Sequence, residues 1–232
     1  MLRPSRRIRL ALGLLTACGL VVIAAAAAAQ SAGIHPLSGR PYALPMSVEG
    51  APWLDRRERV AEEEPDLALR LLQVAKGATV ADIGAGSGYM TIRLAKLVGP
   101  TGRVYANDIQ QGMLDLLRQN VTKAGLSNVT PVLGTFDDPR LPPNAIDLAI
   151  MVDVYHELSQ PQRMLRRIRE SLKTDGRLVL FEYRAEDPAV PILPLHKMTK
   201  AQAKLELEAE GYAQVRVFDD LPRQHLLVFT RK

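Results

Sequence analysis

The sequence predicts a doubly wound α/β domain with a mostly parallel sheet and a closing antiparallel hairpin, on three observations. Short apolar runs alternate with amphipathic helical stretches from about residue 80 to 210. A glycine-rich turn, Gly84-Ala85-Gly86-Ser87-Gly88, separates the first run from the first helix of that alternation. Two further runs near the carboxyl end stand only one turn apart. Runs connected through helices become parallel neighbours, whereas runs joined by a tight turn pair antiparallel.

Taken in order, residues 30–52 are rich in Pro, Gly and Ser and read as a linker draped over or away from the domain. Over 53–72 a charged stretch through Glu64 gives way to an apolar face at Leu67, Leu69, Leu71 and Leu72. Pro65 is well placed to start a helix there, so a helical cap is expected ahead of the first strand. The run 80–83 is a buried strand that exits through the glycine turn into helix 89–98. Gly99-Pro100-Thr101-Gly102 returns the chain to a run at 103–107, closed by Asp108 and followed by Gly112-Met113-Leu114. Runs at 129–133 and 145–152, a helix at 161–172 and a run at 177–182 continue the alternation. The tail adds helix 199–210, Gly211, a run at 213–218, a turn at 219–223 and a last run at 226–230. One domain over 53–232 accommodates all of this, and no internal repeat is present.

The amino terminus is a leader. Arg3, Arg6, Arg7 and Arg9 precede an uncharged apolar stretch, 10–29, ending Ala27-Ala28-Ala29-Gln30, which has the pattern of an export signal with an A-x-A cleavage site. Three variants stay open: a partial twin-arginine signal at Ser5-Arg6-Arg7, a lipobox at Leu15-Thr16-Ala17-Cys18, and a retained membrane anchor. Export to the periplasm or anchoring to a membrane follows. The formal net charge of +5 belongs mostly to this leader. Without its four arginines the chain has 26 basic and 25 acidic residues, a net +1, so a nucleic-acid partner is not expected. Arg163, Arg166, Arg167 and Arg169 cluster on one expected helix and read as a solvated face laced with Glu170. Cys18 is the single cysteine, so the domain has neither an internal disulfide nor a cysteine-bound zinc. The sequence sets no oligomeric state.

The glycine turn narrows the ligand. Glycines let backbone N–H groups approach a ligand where a side chain would block it. The dinucleotide fingerprint G-x-G-x-x-G places its third glycine where Tyr89 stands; the chain instead has Asp82-x-Gly84-x-Gly86-x-Gly88, which argues against an NAD-dependent oxidoreductase. This stretch resembles motif I of the class I S-adenosylmethionine-dependent methyltransferases, with the Rossmann-like fold of that family. Asp108, twenty residues beyond Gly88, stands at the separation that one strand–helix–strand unit imposes. The resemblance implies that Asp82, Gly84, Gly86 and Gly88 hold the amino acid part of S-adenosylmethionine, that Asp108 with Ile109 holds the ribose, and that Asp137 accepts from the adenine amino group. Asp138 is the alternative to Asp137, and Phe136 is either an adenine neighbour or core.

Chemistry is expected at the tip of the fourth parallel strand, Met151-Val152-Asp153-Val154-Tyr155-His156-Glu157-Leu158. His156, with an ordinary pKa near neutrality, is the natural general base. Asp153 is read as a partner of the methionyl group or of the acceptor, and Tyr155 and Glu157 rank behind them. Asp153 with Glu182 supplies too few oxygens to assign a metal site. The segments Leu195-His196-Lys197-Met198 and Leu221-Pro222-Arg223-Gln224-His225 are candidates for lining an acceptor pocket or are simply caps and turns. The pattern is most similar to the small-molecule branch that includes ubiquinone/menaquinone methyltransferases. It implies methyl transfer to an O, N, S or C atom of a small molecule. The alternative is a non-catalytic sensor of S-adenosylmethionine or S-adenosylhomocysteine.

Overall fold

The computed structural model describes residues 31–232; the leader at 1–29, with its cleavage, lipid and anchor readings, lies outside the described residues. Two short strands, β1 (Ser31–Ile34) and β2 (Pro41–Ala43), pair antiparallel. Three short helices follow: α1 (Ala51–Leu54), α2 (Arg59–Glu63) and α3 (Pro65–Leu72). The alternating unit comprises β3 (Thr79–Ile83), α4 (Tyr89–Val98), β4 (Arg103–Asp108), α5 (Gln111–Lys123), β5 (Val129–Leu133), β6 (Ile146–Val152), α6 (Pro161–Ser171) and β7 (Leu172–Arg184). Then come β8 (Lys197–Met198), α7 (Lys200–Ala209), β9 (Tyr212–Phe218) and β10 (Gln224–Arg231). The strand order is β5-β4-β3-β6-β7-β10-β9, and β8 pairs with the end of β7. Strands β3 to β7 run parallel, while β10 runs antiparallel to both β7 and β9. This is the mostly parallel sheet with a C-terminal hairpin that the sequence predicts.

Both faces of the sheet are covered, which is why the middles of its central strands, Leu148–Val152 of β6 and Leu178–Phe181 of β7, are apolar without alternation. On one face Leu69 and Leu72 of α3 pack with Leu94 and Val98 of α4. On the other, Met164, Leu165 and Ile168 of α6 pack with Leu207 and Tyr212. Each such buried side chain contributes about 1.5–3 kcal/mol of transfer free energy. Arg163, Arg166 and Arg167 lie exposed on the outer side of α6, and Arg167 pairs with Glu170 at 3.0 Å, so the cluster is a solvated face. No helix among the described residues is long and apolar enough to cross a membrane.

Three boundaries differ from expectation. The expected linker is built into the domain over residues 33–52: His35, Arg40, Tyr42 and Ala43 are buried, and Arg40 pairs with Glu206 of α7 at 3.0 Å. Composition hid this because a few buried residues in a Pro/Gly-rich stretch show no period. The cap at 53–72 is not one helix, because Glu64 turns left-handed (φ 45°) before Pro65 starts α3. A proline disfavours helical backbone at the residue before it. Strand β7 begins at Leu172, not 177: Leu172 pairs with Ile146 and Arg177 with Leu148, so Lys173-Thr174-Asp175-Gly176, which has turn composition, bulges out of a ladder that resumes on either side of it. A Cβ at Gly176 would lie 2.7 Å from the Ile146 carbonyl, so the close approach needs glycine.

Candidate active site

The strand order reverses between β3 and β6, and the carboxyl ends of the strands open there into a crevice. A cavity of about 550 Å³ occupies it, running from the glycine turn to His156. At the turn, Gly84 (φ 73°) faces the tip of β6 so closely that a Cβ would lie 2.4 Å from Val154 Cγ2. The N–H groups of Gly84 and Ala85 donate to the Asn107 carbonyl, each at 2.9 Å. Gly86 and Gln110 donate their N–H groups to the two oxygens of Asp108, each at 2.9 Å. Asp108 is buried on the cavity wall, and burial raises its pKa against those hydrogen bonds. Asp82 lies below the turn, where the Thr91 hydroxyl donates to it at 2.6 Å. Burial, with a contribution from Asp108, pushes its carboxyl up to about 6 against the opposing pull of Thr91 and Arg59.

The cavity wall therefore holds Asp82, Gly84, Gly86, Asp108 and Ile109 from the expected set. Two members fall outside it. Gly88 packs toward Leu117, 3.2 Å from a Cβ placed there, and serves the turn's packing. Asp137 is held by the Thr135 hydroxyl at 2.8 Å and by Arg163 at 3.0 Å, while its neighbours Thr135 and Phe136 line the cavity. Asp138 accepts from the Arg140 N–H at 2.7 Å, so both loop aspartates are engaged locally. The N-terminal segment completes this end, because Gln110 Nε2 donates to the Met46 carbonyl at 2.8 Å and keeps Leu44–Met46 on the wall.

The other end is assembled from the tips of β6 and β7. Asp153 sits in the left-handed region (φ 55°), which is uncommon for a residue other than glycine. Its Oδ2 accepts from Gln224 at 2.8 Å and its Oδ1 is buried without a hydrogen-bond partner among the described residues. Burial first, then Glu63 and Glu182, hold its carboxyl well above the ordinary range. A 3-10 turn at Tyr155–Glu157 follows, and with about three residues per turn its successive side chains diverge. Tyr155 consequently faces the core, not the cavity, and donates its hydroxyl to Glu206 at 2.9 Å; its expected catalytic place is corrected on this ground. His156 faces the cavity. Its Nδ1 lies 2.6 Å from Glu182 Oε2 and its Nε2 lies 3.1 Å from His196 Nδ1. Burial alone would lower the His156 pKa, but the charge and hydrogen bond of Glu182 outweigh it, and the net direction is upward. The carboxyl of Glu157, half-buried beside it, is pushed up to about 7 by desolvation, against the pull of His156.

Several contributors were not legible in advance. Arg59 donates to both Glu63 oxygens at 2.8 Å and stacks its guanidinium 4.1 Å from the Tyr89 ring centroid on the cavity wall. Arg40 donates to the His156 carbonyl at 3.0 Å, tying the β1–β2 segment to the site. Of the two tail histidines, His196 reaches the cavity. His225 is buried away from it, with neither ring nitrogen hydrogen-bonded among the described residues.

Comparison with known proteins agrees with this geometry. A family model described as a methyltransferase domain matches residues 75–220. The fold is similar to the crystal structure of an S-adenosylmethionine-dependent methyltransferase from Aquifex aeolicus, with a TM-score of 0.75 and 27% identity, covering 80% of this chain and 98% of that one. Among curated proteins, the ubiquinone/menaquinone biosynthesis C-methyltransferase UbiE of Escherichia fergusonii is 30% identical over 111 residues, covering 47% of this chain and 44% of that protein. A protein-L-isoaspartate O-methyltransferase of Methanococcoides burtonii is 36% identical over 113 residues, covering 47% and 51%. The chain thus spans about half the length of the curated relatives it matches.

Proposed function

The chain belongs to the methyltransferase-domain family, and from that premise we propose that it transfers the methyl group of S-adenosylmethionine to a largely apolar small molecule. One observation carries the reading: a single cavity joins the turn and Asp108 at one end to the His156–Glu182 pair at the other. Its volume falls within the range of about 300–1,000 Å³ usual for small-molecule sites.

The residues at the turn fit the cofactor. Asp108 offers two carboxylate oxygens that accept only backbone N–H groups in the structure, which leaves lone pairs for a pair of ribose hydroxyls. Gly86 lines the cavity without a side chain, and Phe136 presents an exposed ring beside it for a flat base. Arg59 and the unpartnered Asp153 Oδ1 lie toward the centre, suited to the charged ends of an amino acid. When bound, S-adenosylmethionine supplies a methyl carbon made electrophilic by positive sulfur. The protein's task is then alignment and removal of a proton where the acceptor carries one. Glu182 performs the first step of that task by fixing the His156 ring, so that Nε2 is the nitrogen presented to the acceptor.

The relatives' names differ in acceptor, one quinone-related and one a protein residue. The walls at the His156 end favour the first kind: Pro191, Ile192 and Leu193, just ahead of His196, line the cavity there and would seat an apolar body, not a peptide backbone. We place this activity outside the cytosol or at a membrane, on the leader pattern at 1–29; recovery of the full chain in the cytosolic fraction would contradict that. The activity itself is tested by incubating the full chain with methyl-labelled S-adenosylmethionine and a panel of phenols, hydroquinones, amines and thiols, alongside an isoaspartyl peptide. Label in an extracted small molecule is the expected result. Label confined to the peptide overturns the acceptor class.

A further inference from the structure

We infer that His156, His196 and Glu157 form a binding site for a divalent transition cation at the acceptor end of the cavity, which would make the acceptor an oxygen donor. The inference rests on the methyl-transfer reading and deepens it. His156 Nε2, His196 Nδ1 and a Glu157 carboxylate oxygen all lie within 4.8 Å of one another. Their separations are 3.1 Å between the two nitrogens and 3.9 and 4.0 Å from the carboxylate oxygen. Ligand atoms about 2.0–2.1 Å from a tetrahedral cation stand roughly 3.3 Å apart. The nitrogens already meet that spacing, and a small rotation of the Glu157 side chain brings the oxygen in.

What lies behind the three is also what a metal site needs. A ligating histidine as a rule donates its other ring N–H to a carboxylate, which fixes the tautomer and aims the lone pair. His156 meets this condition at Nδ1, beside Glu182 Oε2, and Glu182 is itself pinned through its other oxygen by the Tyr155 N–H at 3.0 Å. His196 comes from the 3-10 turn at Pro194–His196, anchored where β8 pairs with the end of β7. Glu157 follows His156 on its own turn, so two chain segments converge from 40 residues apart. Two imidazoles and one carboxylate without a thiolate suit a cation of the Zn²⁺ or Fe²⁺ type, and three protein ligands leave a coordination position free. That position faces the cavity, because all three residues line it. An acceptor hydroxyl or enol bound there releases its proton to water as its oxygen coordinates, and His156 then acts on the acceptor through the cation.

The test is metal binding, which needs no turnover. Full-length protein stripped with a chelator is titrated with Co²⁺ and followed by its visible ligand-field bands, and with Zn²⁺ by calorimetry. One equivalent is expected to bind, and His156→Ala, His196→Ala and Glu157→Gln should each weaken it by at least tenfold. Glu182→Gln should weaken it about 10–100-fold, the usual cost of losing such a supporting carboxylate, while His225→Ala leaves it unchanged. His196 stands partly exposed on its turn, so His196→Ala keeps the test decisive even where a buried variant fails to fold. A folded protein that binds S-adenosylmethionine but takes up neither Co²⁺ nor Zn²⁺ overturns the metal site and leaves the methyltransferase reading standing. Cation binding that ignores the three substitutions also overturns the site. Cation binding at the three residues without S-adenosylmethionine binding upholds the site and contradicts the function.

Discussion

The two ends of the cavity are built on opposite principles. At the β3–β4 end, the parts lie within a single strand–helix–strand unit, and much of the geometry is backbone: N–H groups of the turn fall on the Asn107 carbonyl and the Asp108 carboxylate. At the β6–β7 end, side chains from residues 153–157, 182, 196, 206 and 224 converge, held by buried carboxylates and by Arg40 from the N-terminal segment. A backbone site follows from local chain geometry and tolerates change around it. A side-chain site depends on several distant elements being docked at once, and each buried charge in it is costly if its partner is lost.

Substitutions separate the two ends. The largest effect is expected where they touch: Gly84→Val adds a side chain in the left-handed region against Val154, at a cost of about 1–3 kcal/mol for overpacking plus about 1–2 kcal/mol for backbone strain. Denaturant midpoints should fall accordingly, and Val154→Ala should recover part of the loss in the double variant. Next, Glu182→Gln should lower turnover by about 100-fold or more while the affinity for S-adenosylmethionine stays nearly constant. Asp108→Ala should do the reverse: cofactor binding weaker by about two to four orders of magnitude, from losing two charge-assisted hydrogen bonds of about 1.5–3 kcal/mol each, with turnover at saturation much less affected.

A smaller effect is tied to pH. The Asp82 carboxyl, raised to about 6 in the folded protein, stabilises the fold fully below its ordinary value of 3.8 and loses that contribution as pH rises through 6. Asp82→Asn, which still accepts from Thr91, should therefore gain stability relative to the parent between pH 4 and 7. The gain approaches ~3 kcal/mol in urea unfolding at fixed temperature. The smallest effect is expected at Asp137, whose exposed pair with Arg163 is worth about 0–1 kcal/mol; Asp137→Ala should barely change cofactor affinity. A large loss there would restore the adenine contact expected from sequence.

The same division explains what the sequence reveals. The glycine turn and Asp108 are legible because a strand, a turn and a helix impose fixed spacings, and the strand order follows from alternation and short connections. His156 is legible as a reactive type at a strand tip, but its orientation is not: which of two consecutive residues, Tyr155 or His156, faces the cavity depends on a 3-10 turn with no sequence period. The partnership of Glu182 with His156 depends on the register of β7 against β6, and the arrival of His196 on β8 pairing with β7, a strand two residues long and unpredictable from propensity. Arg40 and His35 are hidden for a further reason. They lie in the connection between two short strands, and their desolvation is offset through Glu206 on α7 and, for Arg40, the His156 carbonyl, both far along the chain.

The central claim is that the two ends serve separate tasks in one methyl-transfer site, and calorimetric titration of the full chain with S-adenosylmethionine tests it most directly. The expected result is micromolar binding by the parent protein, retained in Glu182→Gln and lost in Asp108→Ala. A folded parent that does not bind S-adenosylmethionine, or equal losses in the two variants, would contradict it.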